Sequence, residues 1–199
     1  MAYSDFDLKT AVTDFGLSTP VNVPLFADVA PVDPSDYLRD WLAEFAPVAM
    51  GLSTEAGRRE AMIFPILAEA KRRAPPPVTI ASGVTFDVDK ARGLSGMCDY
   101  ILTRSPNVYY VTAPAVAVVE AKREDLISGL GQCVAEMVAI QLFNEQQASP
   151  RPLVYGRVTT GNQWRFLRLD GKALAIDSVE YSLDRLPSIL GILVRIASE

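Results

Sequence analysis

The stretch Ala115-Val116-Ala117-Val118-Val119-Glu120-Ala121-Lys122 decides which fold the chain is expected to adopt. It is apolar on both faces until its end, which is typical of a central strand that other elements cover on both sides. Side chains alternate along a strand, so Glu120 and Lys122 point to the same face where the strand leaves the core. The stretch predicts a buried strand that brings a carboxylate and an ammonium group to one edge of a sheet.

A second carboxylate lies on the preceding predicted strand, in the stretch Gly96-Met97-Cys98-Asp99-Tyr100. If the two strands pair, Asp99 stands beside Glu120. Two carboxylates at such a short distance repel each other unless a cation lies between them. Mg²⁺ takes carboxylate and backbone carbonyl oxygens as ligands and keeps several waters. The pattern therefore predicts a magnesium site; the alternative interpretation is an ion-pair cluster at two strand ends.

Histidine is absent from the 199 residues, which excludes several kinds of chemistry. Among them are Ser-His-Asp triads, Cys-His proteases, histidine-bound zinc and histidine general bases. The two cysteines, Cys98 and Cys133, are too few for a disulfide framework or a structural zinc site. Any catalysis by this protein must therefore use carboxylate, lysine or hydroxyl groups. A bound Mg²⁺ polarises a phosphoryl oxygen while a lysine orients water, which suits phosphodiester hydrolysis.

Hydrophobic periodicity predicts a mixed α/β chain around this site. A short helix is expected to begin at Ser35, and a longer one to run from Thr54 to about Arg73 with a kink at Pro65. Alternating patterns predict strands at 78–88, 96–102, 115–121, 153–159 and 163–169. Apolar residues recur with the helical period of 3.6 at 126–146, which predicts a helix there. A last helix is expected after Ser182.

Residues 1–50 differ from the rest of the chain in composition and charge. They hold eight acidic and two basic residues, a net charge of −6, whereas the other residues carry +1. The many Pro, Val and Asp residues of 1–33 predict an extended arm rather than a packed helix. If this arm folded back on the body, its charge would repel phosphates.

Asp99 and Glu120-Ala121-Lys122 resemble the metal-binding aspartate and the (D/E)XK element of the PD-(D/E)XK nuclease superfamily, which has the restriction-endonuclease-like fold. Three further stretches resemble the nuclease domain of type I restriction motor subunits and bacterial stand-alone relatives. They are 54–67 with Glu55, Gly131-Gln132 with Glu136, and the hairpin at 155–164. The chain departs from the family pattern at the residue before the aspartate. The family has proline at that position, and this chain has Cys98.

The resemblance implies a restriction-endonuclease-like core, with a central mixed sheet flanked by helices, over 51–199. Residues 1–50, the expected acidic arm and short helix, match nothing in the superfamily. It implies that Asp99, Glu120 and the carbonyl of Ala121 hold Mg²⁺, or Mn²⁺ in its place, and that Lys122 positions the attacking water. Glu55 and Gln132 would assist. Glu60 is the rival of Glu55, because five helical positions turn through about 500° and the two cannot share one direction.

The expected partner is nucleic acid, with DNA preferred. The sequence has no P-loop and no DNA-reading domain, so a partner protein with specificity or motor activity is expected, and a homodimer is left open. The longest apolar stretch, 113–119, is far short of the roughly 20 residues of a membrane span, and residues 1–9 lack a secretory signal, which predicts a cytoplasmic protein. The alternative function is a non-catalytic nucleic-acid or protein-interaction module that retains the fold.

The basic and aromatic residues have two interpretations each. Candidate phosphate contacts are Arg58, Arg59, Lys71, Arg72, Arg73 and Arg123, although each alone is more typical of a solvated charge. Trp164 and Phe166 alternate with arginines, which suits base stacking or a hairpin that packs one apolar face into the body.

Overall fold

Eight strands form one mixed sheet in the computed structural model, which describes residues 1–18 and 21–199. The strands are β1 (Val21–Val23), β2 (Thr79–Thr85), β3 (Met97–Thr103), β4 (Ala115–Ala121), β5 (Leu153–Thr159), β6 (Gln163–Asp170), β7 (Ala173–Asp177) and β8 (Tyr181–Ser182). Seven of them lie in the order β1-β7-β6-β5-β4-β3-β2, and β8 pairs with β6. The pairs β4–β5 and β1–β7 are parallel and the others are antiparallel.

Helices cover both faces of the sheet. They are α1 (Leu8–Asp14), α2 (Asp36–Leu52), α3 (Glu55–Arg58), α4 (Phe64–Arg73), α5 (Leu126–Gln146) and α6 (Leu186–Ser198). Apolar side chains of α2, α4 and α6 build the core on one face, and those of α1 and α5 build the core on the other. The predicted α/β class and the helices flanking a mixed sheet are confirmed.

Strand β4 has the central place that its sequence predicts. All seven of its residues are buried, and it lies between β3 and β5. The predicted strands at 96–102, 153–159 and 163–169 and the helix at 126–146 agree with the structure within one residue at either end. The short strands β1, β7 and β8 were not expected, because their few residues lack a sustained alternating pattern.

The helix predicted over 54–73 is interrupted by a π-helical turn at Arg59–Ile63, which joins α3 to α4. Pro65 has no N–H to donate to the carbonyl of Ala61, four residues earlier, so the regular ladder cannot pass through it. The indole N–H of Trp41 on α2 donates to that carbonyl instead, at 2.9 Å. The proline thus determines where the ring of Trp41 lies.

The N-terminal residues pack into the core, so the extended arm predicted over 1–33 is wrong for the segment that ends with α1. Tyr3 and Phe6 are buried, and the Tyr3 hydroxyl donates to the carbonyl of Phe86 at 2.7 Å. The carboxylate of Asp7 accepts from Thr10 N at 2.7 Å and caps α1, a local signal that composition averaged over 1–33 misses because the prolines follow later, at 20, 24 and 31. Apolar residues on both sides of position 50 therefore share the same cores.

Helix α5 is long and apolar enough to cross a membrane, judged by length and composition alone. Of its 18-residue apolar window, 67% is buried inside the protein. Burial of that kind is typical of a core helix, and α5 packs on β4 and β5.

Gly131 on α5 allows the N-terminal segment to approach this helix. A Cβ at this position would lie 2.2 Å from the backbone carbon of Asp7, far closer than atoms can pack. We expect Gly131→Ala to lower the free energy of unfolding by about 1–3 kcal/mol because the segment must shift. Thermal unfolding followed by circular dichroism measures the loss.

Gly51→Ala is the matched control, since Gly51 also lies in a helix but faces open space. Replacing it is expected to leave the protein equally stable or to stabilise it by up to about 1 kcal/mol. Equal melting temperatures for Gly131→Ala and the unmodified protein would contradict the packing of residues 1–18 on α5.

Glu69 joins α2 to α4 through a buried carboxylate. It accepts from Ser35 N at 3.2 Å, and it pairs with Arg72 and Arg73, each at 2.7 Å. Burial raises the pKa of Glu69, but hydrogen bonds from Arg73, Arg72 and Ser35 outweigh it, and the net pKa is lowered. The pKa of Glu69 is lower in the folded protein than in the unfolded chain. The stabilisation by the ionised Glu69 is therefore complete at a pH above the unfolded-state pKa and is lost as the pH falls through the folded-state pKa.

We therefore expect Glu69→Gln to lower the free energy of unfolding by about 2 kcal/mol at neutral pH. The difference from the unmodified protein should shrink in acid, below the ordinary carboxyl pKa of 4.5. Urea unfolding at both pH values measures it, with exposed Glu44→Gln as the control. A difference that is the same at both pH values would show that the charge of Glu69 contributes nothing.

Candidate active site

Side chains from β3, β4, α5 and the π-helical turn meet at one end of the central strands. Asp99 comes from β3, Glu120 and the following Lys122 come from β4 and its end, and Gln132 comes from α5. The structure brings these four sequence-predicted residues together through a continuous set of contacts. The parallel pairing of β4 with β5 continues past this point, where Lys122 N donates to Thr159 O at 2.8 Å.

The carboxylate of Asp99 bridges the turn and the central strand. Its Oδ1 accepts from the Arg59 guanidinium at 2.9 Å, and its Oδ2 accepts from Ala121 N at 2.8 Å. The second contact ties the carboxylate to the backbone of the (D/E)XK element. Arg59 thereby places a positive charge directly beside this side chain.

Glu120 is a carboxylate that is only 2% exposed. Its Oε1 lies 2.7 Å from Lys122 Nζ. Its Oε2 meets no N–H or hydroxyl donor within the described part of the chain, and the neighbouring Glu136 carboxyl hydrogen-bonds to Glu120 when one of the two is protonated. Burial and the neighbouring Asp99 raise the pKa of Glu120 to about 7, and Lys122 opposes them. A buried carboxylate of this kind favours a proton or a cation at its second oxygen.

Lys122 is held from two sides. Its Nζ donates to Gln132 Oε1 at 3.1 Å as well as pairing with Glu120. Burial lowers the pKa of Lys122, but the Glu120 carboxylate outweighs it and the net pKa is raised, so the ammonium form persists at neutral pH. Gly129 on α5 leaves room for this side chain, because a Cβ there would lie 3.0 Å from Lys122 Cγ.

Glu136 is a site residue that the sequence analysis quoted but gave no role. It is fully buried and accepts from Gln132 Nε2 at 3.0 Å. Burial and Glu120 raise its pKa well above the ordinary carboxyl value. The signal that would have found it is the spacing of four residues from Gln132, which places both on one face of a helix.

Glu55 and Glu60 lie on opposite sides of the turn. The exposed Glu55 is close enough to Lys122 and Arg59 to raise the pKa of each. Glu60 instead acts on Tyr100, away from the lysine. The structure therefore places Glu55, rather than Glu60, nearer to the catalytic lysine that the sequence predicts.

Among the candidate phosphate contacts, Arg59 is the one that reaches Asp99. The others have different surroundings: Arg58 is buried and donates to Thr160 O, Arg72 and Arg73 pair with Glu69, and Arg123 pairs with Glu124. Trp164 and Phe166 are fully buried, which decides between their two interpretations. They are core residues of the hairpin and do not stack on bases.

The donor set at this end of the strands fits a divalent ion held by few protein ligands. Among residues 1–18 and 21–199, no group of three or more His, Cys, Asp or Glu side chains is arranged to hold a metal. Two carboxylates and a backbone carbonyl are nevertheless enough for Mg²⁺, which retains several waters. The buried Glu120 Oε2 meets no N–H or hydroxyl donor among the described residues, so a cation there would take the place of the proton that Glu120 shares with Glu136.

Comparison with known proteins adds no relative: no family model, curated protein or solved structure matches the chain.

The raised pKa of Glu120 predicts how stability depends on pH when divalent ions are removed by a chelator. The pKa of Glu120 in the folded protein, about 7, lies above its ordinary value of 4.5. The stabilisation by protonated Glu120 is therefore complete below pH 4.5 and is lost as the pH rises through about 7. We expect a lower melting temperature at about pH 8 than at about pH 5, and a smaller decrease in Glu120→Gln.

The control is Glu124→Gln, which removes an exposed carboxylate four residues away. This variant should keep the full pH dependence of the unmodified protein. An identical pH dependence in Glu120→Gln would mean that Glu120 does not ionise inside the folded protein.

Proposed function

We propose that this protein is a metal-dependent phosphodiesterase that hydrolyses nucleic acid, with DNA as the preferred substrate. The observation that carries the proposal is the Lys122 ammonium held 2.7 Å from buried Glu120, beside a second carboxylate at Asp99. The chemistry of these groups supports phosphoryl transfer without histidine. We also propose that the chain belongs to the PD-(D/E)XK superfamily and that β2 to β5 with α5 form a restriction-endonuclease-like core.

Asp99, Glu120 and the carbonyl of Ala121 are the residues that would hold Mg²⁺ or Mn²⁺, with exposed Glu55 as a further carboxylate nearby. When bound, the ion supplies charge neutralisation at the phosphoryl oxygen and a more acidic water. The fit depends on Asp99, whose Oδ1 pairs with Arg59. In this proposal, Arg59 moves from Asp99 to a substrate phosphate, because guanidinium groups bind carboxylates and phosphates alike.

Lys122 orients the attacking water and stabilises the negative charge that develops on the phosphoryl group. Its position depends on Gln132, whose Oε1 accepts from Nζ while its amide donates to Glu136. Gln132 and Glu136 are positioning residues, since they act through the lysine. This arrangement keeps the ammonium directed toward the carboxylates and limits its rotamers.

A second candidate function is a nucleic-acid-binding module without hydrolytic activity. The observation that favours it is the pairing of both carboxylates with cationic side chains, Asp99 with Arg59 and Glu120 with Lys122. These pairs compensate the carboxylates without a metal ion. A partner protein that supplies sequence specificity or motor activity, and a homodimer, remain compatible with either candidate.

Replacing Lys122 separates the two candidates. Lys122→Ala leaves both metal-binding carboxylates in place, so we expect cleavage to slow by about a hundredfold or more while divalent-ion binding persists. The measurements are cleavage of single-stranded, duplex and supercoiled DNA and of RNA in Mg²⁺ and Mn²⁺, and the rise in melting temperature with Mn²⁺.

Lys9→Ala is the matched control, since it removes an exposed lysine on α1 that is not among the candidate phosphate contacts. It should cleave at the unmodified rate. Asp99→Asn should reduce the Mn²⁺ shift, and equal shifts in both proteins would contradict the metal site. Cleavage by Lys122→Ala at the full rate would contradict the role of the lysine, and no cleavage by the unmodified protein would favour the binding module.

A further inference from the structure

We propose that an aromatic groove beside the site binds unpaired nucleobases of a single-stranded nucleic acid. The groove lies between α2, α4 and the edge of the sheet, and its volume is about 750 Å³. Its walls carry Tyr37, Trp41, Phe45, Phe64 and Tyr100. The inference rests on the proposed function, because it assigns the substrate class of the same site.

One wall of the aromatic groove is a row of rings on α2. Tyr37, Trp41 and Phe45 follow at intervals of four residues, which places them on one face over about 12 Å. The ring centroids lie 6.2 Å apart for Tyr37 and Trp41, and 4.5 Å apart for Trp41 and Phe45. Such a row presents several flat surfaces to successive bases.

The opposite wall is formed by Phe64 and Tyr100, whose rings stack with centroids 6.3 Å apart and planes at 22°. Tyr37 and Phe64 are exposed, whereas Tyr100 is only 2% exposed, so one ring on each wall is fully accessible to a ligand. The hydrogen bond from Trp41 to the carbonyl of Ala61 fixes the indole in the groove. Fixed rings lose little conformational entropy when a base stacks on them.

Two guanidinium groups line the groove, and each also forms an ion pair: Arg59 with Asp99 and Arg72 with Glu69. Arg59 lies 5.8 Å above the Tyr100 ring and also pairs with Asp99, so it joins the groove to the carboxylates. Arg72 lies 5.7 Å from the Tyr37 ring at the α4 side. The groove also contains Glu60, which disfavours a phosphate at its own position. A strand whose bases occupy the groove would therefore place its phosphates near Arg72 and Arg59.

The aromatic walls select single strands because each base must offer a free face. In a duplex the bases stack on one another, whereas unpaired bases stack readily on aromatic side chains in a sequence-tolerant manner. Arg59 lies over the Tyr100 ring in the groove and also pairs with Asp99, so the phosphate next to a bound base would lie near Asp99. The groove thus assigns a single strand, or the unpaired end of a duplex, as the substrate.

Tryptophan fluorescence tests this assignment with the full chain in a chelator, where cleavage is prevented. The chain has two tryptophans, and Trp164 is fully buried, so a stacking base can quench only Trp41. The probes are a ten-nucleotide oligothymidylate, an oligouridylate, an abasic strand of equal length and a ten-base-pair duplex. We expect quenching and tight binding with the first two and at least tenfold weaker binding with the others.

Tyr37→Ala is expected to weaken oligothymidylate binding about tenfold, the usual effect of losing one stacking ring. Tyr109→Ala is the matched control, since Tyr109 is a surface tyrosine, 91% exposed, on a loop away from the groove. Equal affinities for the oligothymidylate and the abasic strand, or equal losses in both variants, would overturn the proposal. Tighter binding of oligouridylate than of oligothymidylate would support the groove and identify RNA as the single strand that it binds.

The groove and the hydrolysis can fail separately. Base-dependent binding that is sensitive to Tyr37→Ala, with no cleavage in Mg²⁺ or Mn²⁺, supports the groove and overturns the proposed function alone. Cleavage of single-stranded DNA at the same rate and with the same affinity by Tyr37→Ala and the unmodified protein supports hydrolysis and overturns the groove.

Discussion

The burial of the Glu120 carboxylate at the end of the central strand is the constraint on which the rest of the site depends. An ionised carboxylate in a low-dielectric environment is costly unless a cation or a hydrogen-bond donor compensates it. Lys122, two residues along the same strand, reaches Oε1 at 2.7 Å and supplies that compensation. The lysine is in turn held by Gln132, so α5 must pack closely on β4.

Close packing of α5 explains where small residues occur on this helix and its neighbour. A Cβ at Gly129 would meet Lys122 and Val158, and a Cβ at Gly156 on β5 would lie 2.3 Å from the sulfur of Met137. The same helix carries Gly131, against which the N-terminal segment lies. That segment brings Tyr3 close to Glu136, and burial together with the charges of Cys98 and Glu136 raises the pKa of the tyrosine. The N-terminal residues are therefore part of the site's support.

The second constraint is Pro65, which connects the site to the aromatic groove. Because the proline cannot donate a hydrogen bond, the helix opens into a π turn, and that turn carries Arg59 toward Asp99. The released carbonyl of Ala61 holds Trp41 in the groove. One backbone irregularity thus positions a cation at the carboxylates and an aromatic ring where we propose that bases bind.

The sequence by itself determined the central strand and the placement of Glu120 and Lys122 on one face, because strand alternation is a local rule. The position of Asp99 beside them depended on the pairing of β3 with β4, and Gln132 was predicted from a family resemblance. The spacing that puts Glu120 and Lys122 on one face requires no knowledge of the rest of the chain. Local rules also located Ser35 as the cap of α2 and the ends of α5.

Contacts between distant residues were decided by the tertiary structure alone. The pairing of Arg59 with Asp99 joins residues 40 positions apart, and the N-terminal segment packs on a helix more than a hundred residues later. The burial of Trp164 and of Glu136 likewise depends on which faces of β6 and α5 the other layers cover. Composition averaged over 1–33 predicted an extended N-terminal arm, but its prolines all lie after α1, and the apolar area that Tyr3 and Phe6 remove from water on α5 holds the first segment in the core.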